Sequence, residues 1–210
     1  RKKYGDGLHF IGKREALWDW QCLTLFTASR ISEYGQRQST ASKPWDVIPN
    51  TADAGEWAGK PIAFIADDVT FYTSSNHRLS HDICSQRDAH QQIYIAHLRF
   101  RYDKSKENFV TKVYKRLPSA NVLCPVRALV DICRRAIELQ IPPAEPLGQF
   151  RDFEVKRHAY RRCIKAADVT ESLRRACTRA YPDPSHFCRI NCDRLMTHSN
   201  RVTAACCLMI

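Results

Sequence analysis

The sequence predicts a mainly α fold carrying a small antiparallel β-sheet, an α+β chain with the sheet set between helical halves. Three observations predict it. Residues 124–139, CPVRALVDICRRAIEL, repeat apolar side chains at helical spacing behind a proline suited to a first turn. Residues 92–117 hold two β-rich runs around a polar turn, DKSKEN. Residues 13–26, KREALWDWQCLTLF, put Leu17, Trp20 and Leu23 on one helical face.

In chain order, that first helix is interrupted at TASR (27–30), and ISEY (31–34) starts a second, so Arg30 falls at a turn. Residues 36–60 are polar with Pro44, Pro49, Gly55 and Gly59 and predict a long surface loop. The run 61–73, PIAFIADDVTFYT, has strand character with an Asp-Asp break, and 74–91 predict loop. In the hairpin, Leu98, Phe100 and Tyr102 alternate with Arg99 and Arg101. Residues 97–116 hold seven Lys/Arg against two Asp/Glu, so one side is expected to be strongly basic. In the helix after it, Val126, Leu129, Val130, Cys133 and Ile137 form the expected apolar stripe, with Arg127, Arg134 and Arg135 off it. Residues 140–150 are a proline-rich break, 151–180 are basic and helical in pattern, and a last helix is expected from about Asp193.

The 210 residues suffice for one sizeable domain, and 44% of them are hydrophobic. No apolar run is long enough for a bilayer, and no signal-peptide pattern opens the chain. The first residue is Arg1, which suggests a fragment. A net charge of +11 points to a polyanion such as DNA or RNA, or to an anionic membrane surface. The ten cysteines are Cys22, Cys84, Cys124, Cys133, Cys163, Cys177, Cys188, Cys192, Cys206 and Cys207; none forms C-x-x-C. They read as free thiols in a reducing compartment, and His186, Cys188 and Cys192 lack the second pair a zinc site needs.

Three pieces carry potential chemistry: Arg30 at its turn, Lys104 at the hairpin tip, and His198 with Arg201 at the head of a helix. Residues at i and i+3 project together. Two arginines, a lysine and a histidine converging on one point make a phosphate site with acid–base capacity.

These same pieces resemble the motifs of the tyrosine recombinases, the phage-type integrases. TASRISEY is similar to that family's first arginine box, RFRYDKSKEN to the hairpin that presents its catalytic lysine, and THSNRVTAACCL to its HxxR box. The helix after the hairpin looks like that of eukaryotic, crypton-like or retroelement-borne members. The resemblance covers the chain from about Leu17 onward. It implies a single catalytic domain over 1–210, cropped before the nucleophilic tyrosine and without the N-terminal DNA-clamping domain. It implies that Arg30 and Arg201 clamp the scissile phosphate, Lys104 protonates the leaving 5′-oxygen and His198 assists proton transfer. Glu33 orients Arg30. Arg99, Arg101 and Lys106 are expected on DNA, and Lys106 rivals Lys104 as the hairpin lysine.

The implied activity is cleavage and rejoining of DNA through a 3′-phosphotyrosine, with no metal and no nucleotide cofactor. The implied partners are double-stranded DNA and further copies of the protein assembled on it, with no membrane. The implied location is the nucleus in a eukaryote and the cytoplasm otherwise. The chain departs from the family at Ala28, where glycine is usual, and at its last tyrosine, Tyr181, which precedes the HxxR-like box. A domesticated or decayed module that binds DNA without cutting it is the alternative. A basic RNA-binding helical protein is a third reading, ranked low for want of exposed stacking aromatics.

Overall fold

A computed structural model describes residues 11–35, 45–101, 109–118, 123–152, 160–181 and 194–196. Within them the chain is α+β: helices and two small antiparallel sheets.

Helix α1 (Lys13–Thr27) buries Ala16, Leu17, Trp20 and Leu23, the face the spacing predicts. It ends where Ala28 takes a left-handed conformation (φ 52°, ψ 29°), its N–H closing on the Thr24 carbonyl. The short helix α2 (Ile31–Tyr34) follows at once. Trp20 stacks on Tyr34 at 5.2 Å and on Phe64 at 6.2 Å between ring centroids, and Phe64 meets Phe100 edge-on. This ladder of rings couples the first two helices to the sheet.

The run 61–73 is only half a strand. Pro61 bridges to Val47, a 3₁₀ turn spans Ala66–Asp68, and β1 is confined to Val69–Tyr72. Residues 74–91, expected as loop, contain β2 (Arg78–Leu79), a 3₁₀ turn (His81–Ser85) and α3 (Ala89–Gln92). These pieces are too short for sequence periodicity to reveal; pairing against β1 and packing under α4 create them.

The predicted hairpin is β3 (Ile95–Phe100) against β4 (Val110–Lys115), with Ile95 opposite Lys115 and Phe100 opposite Val110. The sheet order is β2-β1-β3-β4. Ala96, Leu98 and Phe100 point into the core, and β4 forms an exposed edge. Helix α4 (Pro125–Glu138) has its proline in the first turn and packs on α1. Its stripe differs from expectation at two positions. Ile137 is exposed, whereas Arg135 is fully buried in an ion pair with Asp19 of α1. A carboxylate one helix away brings an arginine into the core, and no single-helix pattern contains that information.

The basic run 151–180 is not one helix. β5 (Gln149–Asp152) pairs with β6 (Tyr160–Cys163), and only then does α5 (Ala166–Ala180) begin. Arg161 is drawn into a charge pair with Glu145 ahead of β5, and Arg162 into pairs with Asp152 of β5 and Asp168 of α5. Gly148 lies so close to α2 that a Cβ there would sit 1.6 Å from the Tyr34 carbonyl oxygen. This contact fixes α2, and with it Arg30, against the second sheet. The expected last helix lies outside the described residues.

Candidate functional site

Arg30 is the last of three residues between α1 and α2 and the N-cap of α2, in extended conformation (φ −79°, ψ 155°). The left-handed turn at Ala28 lets the second helix start only three residues after the first ends. At the turn the Thr27 and Ser29 hydroxyls lie 2.6 Å apart, buried. The Glu33 carboxylate then reaches back one turn and accepts the Arg30 N–H at 2.7 Å, while the Glu33 N–H donates to the Arg30 carbonyl at 2.9 Å. The same carboxylate lies 3.8 Å from the Arg30 guanidinium, and the two side chains are 19% and 9% exposed. Glu33 thus meets Arg30 at both its backbone N–H and its guanidinium. Its own carbonyl accepts the Phe64 N–H at 2.7 Å.

From Phe64 the chain leads directly to Asp68. The Asp68 carboxylate, buried, accepts the Ile65 N–H at 2.9 Å and receives both hairpin arginines. Arg101 Nε approaches it at 2.6 Å and Arg99 at 3.2 Å. Burial pushes the Asp68 carboxyl above its ordinary range, opposed by the two guanidinium groups and the Ile65 N–H. Arg101 departs from expectation here. Read as part of an outward basic face, it is 2% exposed and turned inward onto Asp68. The alternation fails because the strand ends at Phe100 and an acidic turn waits beneath. Arg99, its side chain 33% exposed, keeps access to solvent. Lys104, Lys106, His198 and Arg201, like His186, Cys188 and Cys192, lie outside the described residues.

Sequence reasoning missed Trp57. It sits in the loop read as featureless, and three cations gather on its indole: Lys60 Nζ at 4.3 Å, Arg101 at 4.8 Å and Arg99 at 5.2 Å from a ring centroid. Phe109 packs against it at 5.1 Å. The available signal was small: an aromatic followed by Ala-Gly-Lys, a turn sequence that brings its first and fourth residues together.

A cleft of about 700 Å³ opens elsewhere, lined by Arg14, Glu15, Trp18, Asp19, His90, Asp131 and Arg134. Of the residues singled out from the sequence, the described ones, Arg30, Glu33, Arg99 and Arg101, do not line it. Its charges are internally matched: Glu15 pairs with Arg14, and Asp131 with His90 and Arg134. Among the described residues no three His, Cys, Asp or Glu side chains come together as a metal site. The six described cysteines are buried free thiols, and burial pushes Cys22 and Cys163 up to about 12, so they are poor nucleophiles. Tyr34 and Tyr114 are also held protonated, burial pushing Tyr114 up to about 12 and Tyr34 higher. Among the described residues no helix is long and apolar enough to cross a membrane. No protein-family model, curated protein or solved structure matches the chain.

Proposed function

We propose that the chain is a duplex-DNA-binding domain of the tyrosine-recombinase kind, in which Arg30 grips a backbone phosphate. The observation that carries this reading is the Arg30–Glu33 arrangement. An arginine at a helix junction is held by a carboxylate three residues on, and its turn is tied through Phe64 to the sheet bearing the basic hairpin. A fixed guanidinium meets a phosphate with little loss of side-chain entropy and with paired, charge-assisted hydrogen bonds. The net charge of +11 supplies the long-range attraction that brings a polyanion to it.

On this reading Arg201 completes the phosphate grip, Lys104 or Lys106 delivers the proton to the leaving 5′-oxygen, and His198 assists. A tyrosine oxygen then bonds to phosphorus as the bond to the 5′-oxygen breaks. Neither Tyr34 nor Tyr114 suits that role, because both hydroxyls are buried away from any approaching phosphate.

The test is duplex-DNA affinity as a function of salt. The wild-type chain is expected to bind with a slope of log K against log salt near −0.9 for each phosphate contacted. Arg30→Ala is expected to weaken binding at least tenfold across unrelated sequences, with the circular dichroism spectrum unchanged. Equal affinity for the two proteins refutes the assignment of Arg30. Capture of DNA as a covalent adduct separates a recombinase from a module that only binds.

A further inference from the structure

The loop before the sheet builds a second cationic group, and its local cause is one turn. Ala58 (φ −54°, ψ 133°) and Gly59 (φ +77°) form a type II turn, closed by the Lys60 N–H donating to the Trp57 carbonyl at 3.1 Å. A side chain at Gly59 is disfavoured by that φ, so glycine is what lets the turn form. The turn lays Lys60 over Trp57 at 4.3 Å. The sheet then delivers Arg99 and Arg101 to the same indole. Three positive charges thus share one aromatic ring, and Asp68 pairs with only two of them.

The indole attracts the cations without neutralising them. Lys60 is exposed and has no carboxylate partner among the described residues. Exposed Glu56 and Asp67 stand nearby in sequence, and neither forms an ion pair with the group among the described residues. Arg101, almost wholly buried, keeps its Nη1 without a hydrogen-bond partner among the described residues, a costly omission unless something else uses its charge. A residual positive charge is therefore held in place, with an ammonium and the partly exposed Arg99 guanidinium open to solvent beside a half-buried ring.

We propose that Trp57, Lys60 and Arg99 form a phosphate-binding site, kept electropositive by buried Arg101, which takes a phosphodiester group of the duplex. The DNA part of this proposal rests on the reading above; the anion site itself rests on the cluster. Lys60 supplies the exposed donor, Arg99 a second, and Trp57 fixes both. The site lies at the turn end of the β3–β4 hairpin, where Phe109 packs against Trp57, so a duplex seated there also meets that end of the hairpin.

Two readouts separate the two claims. The first is the indole N–H resonance of Trp57, identified by its loss in Trp57→Phe, as inorganic polyphosphate is added. It is expected to shift in the wild-type chain and to stay still in Lys60→Gln. A resonance that never moves, or that moves equally in Lys60→Gln, overturns the site whatever DNA does. The second is the salt dependence of duplex binding, which Lys60→Gln is expected to make shallower by about 1, the loss of one phosphate contact. If DNA binds and neither readout responds, the site falls and the DNA reading stands. If polyphosphate shifts Trp57 but no duplex binds, the DNA reading falls and the anion site stands.

Discussion

Replacing Asp168 by asparagine is expected to remove a defined part of the protein's resistance to acid. Asp168 lies in the first turn of α5 and draws three elements together. Arg162 of β6 grips it with two bonds, at 2.7 and 2.9 Å. The Lys165 N–H donates to it at 2.8 Å, and Lys13 of α1 lies 3.0 Å away. Burial alone pushes the carboxyl up, but the Arg162, Lys165 and Lys13 donors outweigh it, and the group titrates at about 2 instead of 3.8. The folded form therefore holds the charged carboxylate more tightly than the unfolded chain does. Its contribution is fully present above pH 3.8 and is lost as pH falls towards 2.

The size of the effect follows from that displacement: about 2 kcal/mol at neutral pH, allowing for some screening by solvent. In Asp168→Asn, the Lys165 N–H still finds an oxygen, but Arg162 and Lys13 lose the charge. The assay is urea unfolding followed by tryptophan fluorescence, at pH steps from 7 to 2. The variant is expected to be less stable by about 2 kcal/mol at pH 7, with the gap closing between pH 4 and pH 2. A gap of constant size over that range refutes the reasoning, because it assigns the loss to packing and not to ionisation.

Three further predictions test the frame around Arg30. Ala28→Gly is expected to raise stability by about 0.5–1 kcal/mol, since Ala28 sits at φ 52°, and denaturant midpoints measure it. Gly148→Ala is expected to cost about 3 kcal/mol or more and to lower DNA affinity with it, because the new Cβ falls 1.6 Å from the Tyr34 carbonyl oxygen and must displace α2. Full stability in that variant contradicts the clamp. Asp19→Leu alone is expected to cost about 3–5 kcal/mol by stranding the buried Arg135 charge; Arg135→Met is expected to cost less, because burial already pushes the Asp19 carboxyl up to about 7 and it takes a proton once Arg135 is gone; the double replacement recovers most of the loss, and a double-mutant cycle in urea reports the coupling.

The sequence alone determined the parts that rest on local rules. Periodicity located α1 and α4, and β-rich alternation located the β3–β4 hairpin. The small polar run TASR placed Arg30 at a junction between two helices. Those features depend on neighbours three or four residues apart, which the chain order displays. Arg101, Arg135, Trp57 and the β5–β6 hairpin depend on neighbours far away in the chain. Arg101 and Arg135 were read as surface charges because their own elements are polar at those positions. Only tertiary packing supplied the buried carboxylates, Asp68 and Asp19, that turn them inward. A charge's destination is set by where its counter-charge lies in space, and that is fixed when the elements pack together.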